Sequence, residues 1–389
     1  VTGLRSIIWL STQEWDDVWT RKQRFARMFA ARGHRVLYVE SPTHLLTFAR
    51  RLPSSFARAM ACLGPPTEVE PNLFVYTPPV VLPYFQRFDF VNNLNAALLA
   101  PCIKQAVKHL GLVDPLLWVY PPYGAPLVER LDYGFVVYDC VDEWSSFTGL
   151  LKRETVARQE ARLLKNADFV FVTSSALEES KRPLAARLRL VPNAAEFEHF
   201  SKAVNEELET PDELRDLPRP ILGFIGGVQY WLDLELLEHV AVCRPEWSLV
   251  LVGPIGRLAK VDGLRSLPNC HLIGLRPYEQ LPAYLKAFDV CLNPFKVDET
   301  SRSVSPLKLF EYMAAGKRVV STDMREVRAF EGLVSIARDG DEFVDLIERE
   351  LADIANAKRT EQIISEAQKH TWEKRFETIV DELGEVLKC

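Results

Sequence analysis

Short apolar runs and amphipathic stretches alternate along the chain, and the alternation starts twice. Residues 6–11 form a run of buried-strand character. Residues 20–32 carry Phe25, Met28, Phe29 and Arg32 at helical spacing, and residues 35–40 are again short and apolar. Thr20 suits the start of that helix and Gly33 its end. The grammar continues with an apolar helix at 90–110, strands at 116–120, 136–138 and 169–173, and an amphipathic helix at 154–167. The second half restarts it: strands at 221–225, 248–252, 271–273, 290–293 and 319–321, with helices at 234–242, 278–287 and 306–315 between them.

Strand–helix–strand units of this kind imply parallel strands joined by right-handed crossovers. The sequence therefore predicts an α/β fold of two Rossmann-like, doubly wound domains. Residues 1–203 form the first and residues 204–371 the second, and a terminal amphipathic helix follows at 372–389. The acidic run from Glu206 and the stretch Asp216-Leu217-Pro218-Arg219-Pro220 read as a linker between the halves. A length of 389 residues is too great for one ordinary core and fits this division.

Composition narrows the function classes. With 48% hydrophobic and 26% charged residues the chain reads as folded rather than disordered. No apolar run reaches membrane-spanning length, and no basic-then-apolar leader opens the chain. Its seven cysteines are scattered without a CxxC pair, as expected of a reduced cytoplasmic protein rather than a disulfide or metal framework. Residues 1–200 hold 23 basic against 20 acidic side chains and the remainder 24 against 33, so the chain is acidic overall. That balance argues against nucleic acid as the main partner.

The most informative stretch is Ser303-Val304-Ser305-Pro306-Leu307-Lys308-Leu309-Phe310-Glu311-Tyr312-Met313-Ala314-Ala315-Gly316. Ser305 suits an N-cap, Pro306 the first helical position and Gly316 the residue beyond the last turn. The helix N-terminus offers free backbone N–H groups and a positive dipole end, which suit phosphate. Lys308 in the first turn opposes the dipole unless an anion arrives, and Glu311 shares its face at i+3. Read locally, the same residues also describe a capped surface helix with an i,i+3 ion pair.

The run from Ser305 to Thr322 resembles the donor-binding helix of GT-B glycosyltransferases, specifically family 4. In that family the second glutamate of a Glu-x7-Glu motif holds the ribose of the nucleotide. Glu311 occupies the second position here and Ser303 the first. Further segments extend the resemblance over nearly the whole chain. The unit from Arg21 to Val39 is similar to the start of the acceptor-side domain, and Tyr138-Asp139-Cys140-Val141-Asp142-Glu143 to its cleft-facing segment. Val191-Pro192-Asn193 is similar to the interdomain turn, and Phe224-Ile225-Gly226-Gly227 to the start of the donor domain. Tyr230, Trp231 and Asp233 after the glycines resemble envelope-polysaccharide transferases of the teichuronic-acid type.

The resemblance implies two domains facing a central cleft, with the last helix crossing back to the first. It implies a retaining transferase that moves a sugar from a nucleotide-diphosphate donor, UDP-linked, to a saccharide or lipid-linked acceptor in bacterial surface polysaccharide synthesis. The donor would meet Gly226, Gly227, Arg276, Ser305, Pro306, Leu307, Lys308 and Glu311. Arg276 lies in Leu275-Arg276-Pro277-Tyr278, which matches the family's nucleobase loop. The cations that commonly follow the glycines are missing from Gln229-Tyr230-Trp231-Leu232-Asp233, which leaves diphosphate to Lys308, the helix N-terminus and the glycine amides. A nucleotide-sugar epimerase and a non-catalytic binding or scaffold subunit are the alternatives on the same fold.

Three other features bear on chemistry. Asp139, Asp142 and Glu143 read as a cluster after a strand end, where α/β sheets place their crevices. Asp142, and after it Asp139, is the candidate to act as base or to orient hydroxyls, against a reading as loop caps. Asp339-Gly340-Asp341 has a metal-binding look, but Asp341 reads as the N-cap of a helix at 342–351, and no metal or other cofactor is expected. Residues 44–63 interleave Leu45, Leu46, Phe48, Leu52, Phe56 and Met60 with Arg50, Arg51 and Arg58. Such a segment suits peripheral contact with the inner face of an anionic membrane, or packing on its own domain.

Overall fold

The run that opens the alternation becomes β1 (Ser6–Leu10), buried along its whole length at the middle of an eight-stranded sheet. The structure is a computed structural model that describes residues 6–50, 58, 60–62, 64–146, 151–204, 207–299 and 301–387. It divides into two units, residues 1–192 with 376–389, and residues 193–375.

In the first unit β1 is followed by α1 (Arg21–Ala31), β2 (Arg35–Val39), α2 (Leu45–Arg50), β3 (Thr67–Glu70), β4 (Leu73–Tyr76) and α3 (Asp89–His109). Then come β5 (Leu116–Val119), α4 (Ala125–Val128), β6 (Phe135–Cys140), α5 (Arg153–Asn166), β7 (Phe169–Val172), α6 (Ser175–Lys181) and β8 (Leu188–Leu190). The strand order is β3-β4-β2-β1-β5-β6-β7-β8, parallel throughout except for the β3–β4 hairpin. The order reverses direction between β1 and β5, the place where such sheets open a crevice at their carboxyl ends.

Alternation along the strands sends side chains to two faces. On one, Trp9 and Trp118 stack at 4.6 Å, and Phe29 of α1 meets Phe376 of the last helix edge-on at 4.7 Å. On the other, Leu10, Val39 and Val119 join Ala96, Leu99 and Ile103 of α3. Each fully buried large apolar side chain contributes about 1.5–3 kcal/mol relative to exposure.

The second unit contains α7 (Phe197–Phe200), α8 (Asp212–Arg215), β9 (Ile221–Ile225), α9 (Leu234–Cys243), β10 (Ser248–Val252), α10 (Asp262–Ser266), β11 (Cys270–Gly274) and α11 (Leu281–Ala287). These lead into β12 (Val290–Asn293), α12 (Leu307–Ala314), β13 (Arg318–Thr322), β14 (Ser335–Ala337), α13 (Gly340–Ala352), α14 (Ala357–Ala367) and α15 (Trp372–Leu387). The sheet is wholly parallel in the order β11-β10-β9-β12-β13-β14, and its reversal lies between β9 and β12. From Phe376 onward α15 groups with the first unit.

Two local readings are corrected. The stretch 216–220 is no free linker: it lies inside the second unit, where Ser248 donates through its hydroxyl to Pro218 O at 2.7 Å and through its amide to Pro220 O at 3.0 Å. The chain passes from one unit to the next at 192–193. Asp339, not Asp341, caps α13 by accepting from Glu342 N at 2.9 Å, while the exposed Asp341 pairs with His239. Among the described residues no three His, Cys, Asp or Glu side chains form a metal-binding group, and no helix is long and apolar enough to cross a membrane.

Candidate active site

Two neighbouring strands of the second unit run into glycines at their carboxyl ends. Gly226 follows β9 with φ +153°, and Gly253 follows β10 with φ +151°. A Cβ on Gly253 would lie 1.9 Å from Gly226 O, and one on Gly226 would lie 3.3 Å from Lys308 Cε. Only glycine permits both this backbone and this approach. Gly226 N donates to Val252 O at 2.8 Å, fixing the two ends together. Gly227 follows, with the side chain of Gln229 lying alongside it. Gly253 escaped the sequence reading, although a glycine and a proline directly after an apolar run were the signal.

Helix α12 faces this rim. Tyr312 is fully buried and anchors it, accepting from Ile225 N at 2.8 Å and donating to Ile225 O at 3.3 Å. Lys308 Nζ lies 2.8 Å from Glu311 Oε2, with the lysine partly exposed and the glutamate nearly buried. The start of the helix differs from expectation. Pro306 is the N-cap and Leu307 the first helical residue, with no side-chain cap. Ser305 is unavailable because its hydroxyl accepts from Asn193 N at 3.2 Å, while Asn193 Nδ2 donates to Ser305 O at 2.9 Å. The first residue of the unit is thereby stitched to the approach to α12. Ser303, at the first motif position, is buried in a 3-10 turn.

Just past the end of β11, the partly exposed Arg276 is held by neighbours within its own unit. Its Nε donates to Glu213 at 3.0 Å and Tyr284 Oη at 2.9 Å, so its charge is already matched. Tyr278 in the same loop stacks on His199, with ring centroids 4.3 Å apart and planes 10° apart, and donates to Glu196 at 2.9 Å. Burial lowers the His199 pKa, which favours the neutral ring. The structure thus brings Gly226, Lys308 and Glu311 together and engages the Arg276 side chain elsewhere.

The carboxylates of the first unit separate into two kinds. β6 extends to Cys140, beyond the expected strand end, so Asp139 lies within the strand and pairs in register with Phe171. Its carboxylate is fully buried against Arg21 at 3.0 Å, and Arg21 also donates to Val191 O at 2.9 Å. The Arg21 charge compensates a group that could not otherwise sit inside a sheet. Asp142 lies beyond the strand and is half-buried. Burial pushes its carboxyl up to about 6, with Lys22 pulling the other way.

Glu143 is tied down. Lys181 of α6 bridges Glu143 at 2.7 Å and Glu160 at 2.8 Å, and Tyr138 Oη donates to Glu160 at 2.7 Å. This buried network holds the base of the loop that carries Asp142, and Lys181 gave no local signal of it. In the 44–63 segment, Arg58 points inward to Glu14 at 2.6 Å and Glu40 at 3.3 Å, and Leu45 and Met60 are exposed. Arg51, Leu52, Pro53 and Phe56 lie outside the described residues, as do the side chain of Arg50 and the end of the chain at 388–389.

Comparison with known proteins now bears on this geometry. The model for the family described as glycosyl transferases group 1 matches residues 219–353, the stretch that holds the glycine rim, Lys308 and Glu311. The second unit carries a glycosyl transferases group 1 domain. This group 1 domain lies within the 193–375 unit, from the residues just before β9 to the end of α13.

A curated relative is TuaH of Bacillus subtilis (strain 168), named as a glycosyltransferase of teichuronic acid biosynthesis. It is 32% identical over 222 residues, covering 54% of this chain, and the chain spans about half (55%) of that relative's length. Solved structures place the group 1 domain and the first unit in one fold class. Sucrose-phosphate synthase from Thermosynechococcus elongatus superposes with a TM-score of 0.73 at 17% identity over 99% of each chain. Anabaena HepE, solved with UDP and glucose, gives 0.65 at 15% identity over 98% of this chain and 100% of its own. The fold is GT-B: α/β, with two parallel-sheet Rossmann-like domains.

Proposed function

We propose that the chain is a glycosyltransferase of bacterial surface polysaccharide synthesis that takes its sugar from a UDP-linked donor and transfers it with retention. The observation that carries the reading is the Lys308–Glu311 pair at the start of α12, beside the glycine rim of a group 1 domain. A diphosphate arriving at the helix N-terminus would meet the amides of Leu307 and Lys308, the positive dipole end and the Lys308 ammonium. Drawing Nζ toward phosphate frees the Glu311 oxygens for the ribose hydroxyls. The ion pair is then exchanged for two contacts to one ligand. Charge building on the leaving diphosphate is met by donors that are already in place.

On the first unit, Asp142 is the carboxylate assigned to the acceptor or the transferred sugar, where it orients hydroxyls and steadies positive charge on the sugar ring. Asp139, paired with Arg21, braces the strand that leads to Asp142. The acceptor is a saccharide or a lipid-linked saccharide, and the protein works in the cytoplasm with peripheral contact at the membrane surface. TuaH, named for teichuronic acid biosynthesis, supports the polysaccharide assignment, and HepE, solved with UDP, supports the choice of nucleotide.

Calorimetric titration with UDP, GDP and ADP tests the reading. UDP should bind most tightly, and Glu311→Ala should weaken it by about 1–3 kcal/mol, the range for hydrogen bonds to a charged group. Absence of binding by all three nucleotides would refute it. Conversion of a donor sugar without any acceptor would favour the epimerase alternative.

A further inference from the structure

The first unit contains a crevice that the donor chemistry does not use. It lies at the sheet's reversal point, between the carboxyl ends of β1, β2 and β5 and the inner face of α3. Leu10, Val81, Ala96, Leu99, Ile103 and Leu127 supply its hydrocarbon lining. It holds about 530 Å³ of atom-free space, including its open mouth.

The polar groups in its wall are already engaged. Ser11 Oγ shares a hydrogen bond with Tyr38 Oη at 2.6 Å and accepts from Gln13 N at 3.0 Å. Glu40 accepts from Trp15 N at 2.8 Å and Thr77 Oγ1 at 2.8 Å, with Arg58 at 3.3 Å. Asn95 exchanges two bonds of 2.9 Å with the Leu82 backbone, and Asn92 donates to Tyr123 O at 3.1 Å. A polar ligand would have to displace these contacts without replacement, at a cost, whereas a hydrocarbon would displace only water.

One wall leads toward the acceptor carboxylate. Phe85 meets Tyr123 at 4.9 Å, Tyr123 meets Trp144 at 6.4 Å, and Trp144 N donates to Asp142 O at 3.1 Å. β5, which ends in the crevice, is the sheet neighbour of β6, which leads to Asp142. We infer that the crevice holds the hydrocarbon part of an amphiphilic acceptor, whose saccharide head is thereby delivered to Asp142. The chain site stands by itself; only the fate of the head rests on the proposed transferase reading.

The test is calorimetric titration of the full chain, without donor, with hexyl, heptyl and octyl β-glucoside below their critical micelle concentrations. Affinity should rise about fourfold for each added methylene. Leu99→Phe and Ala96→Leu narrow the crevice from α3, and each should weaken octyl glucoside about tenfold. Leu94→Ser, on the exposed outer face of the same helix, should not. Asp142→Asn should weaken octyl glucoside several-fold and leave 1-octanol unchanged.

A flat dependence on chain length would overturn the proposal, and this readout of the wild-type chain holds even if the narrowed variants do not fold. Full binding by both narrowed variants with unchanged melting would also overturn it, as would loss of binding in Leu94→Ser. An equal effect of Asp142→Asn on glucoside and alkanol would overturn the placement of the head. UDP titration of the same sample separates the two readings. Glucoside binding without UDP binding upholds the crevice and contradicts the donor site.

Discussion

The two units each hold a cation and a carboxylate in contact, and the two pairs differ in what surrounds them. In the first unit, the side chains of Arg21 and Asp139 are 2% and 0% exposed, and the guanidinium also grips Val191 O. In the second, Lys308 is 24% exposed and its partner Glu311 6%, one turn apart on a helix whose N-terminal amides lie alongside. A sealed pair is fixed by the cost of separating its charges in a medium that cannot solvate them. A pair with an open cation can exchange partners cheaply, because water or a phosphate takes over as the contact opens. The comparison teaches that access to the cation, rather than the presence of an ion pair, distinguishes a brace from the proposed binding site.

The difference can be broken most forcefully at the sealed pair. Arg21→Ala leaves a buried carboxylate without its partner, and urea unfolding should show a loss of about 3–5 kcal/mol. The double variant Arg21→Met, Asp139→Leu should recover most of that loss. An Arg21→Ala protein as stable as wild type would mean that the pair is no brace. At the open pair the pattern should invert: Glu311→Ala should change unfolding free energy by less than about 1 kcal/mol while nucleotide affinity falls.

Asp142 sharpens the contrast through pH. Burial pushes its carboxyl up to about 6, so the folded chain holds this proton more tightly than the unfolded chain. Its contribution to stability is present below the unfolded pKa, near 4, and is lost as pH rises through about 6. Asp142→Asn should therefore melt above wild type at pH 8, with the gap closing below about pH 4. Transfer should be lost in the variant and should decline in wild type as pH falls below about 6. A variant that melts lower at pH 8 would show Asp142 to be a structural group. A modest effect belongs to Ser305→Ala, which removes the acceptor for Asn193 N and should cost about 1 kcal/mol in thermal unfolding.

What was legible in the sequence was what neighbouring residues decide. The short apolar runs became strands because their periodicity is local, and α12 was bounded within a residue or two by Pro306 and Gly316. What was hidden depended on partners far along the chain. Asp139 looks like the end of a strand because a carboxylate does not belong in a sheet, and Arg21, 118 residues away, helps make it tolerable there. Ser305 looks like a cap until Asn193, 112 residues away, claims its hydroxyl. Lys181 carries no motif, yet it joins two carboxylates beneath the Asp142 loop. The crevice is assembled from parts of several strands and one helix, and no single segment announces it.

The central claim is that the Lys308–Glu311 pair opens to receive a diphosphate. Comparing UDP with UMP by calorimetry, in wild type and Lys308→Ala, tests it most directly. The account predicts that the variant loses most of the preference for UDP while binding UMP nearly as wild type does. Equal losses for UDP and UMP would contradict it, because Lys308 would then not be the group that meets the second phosphate.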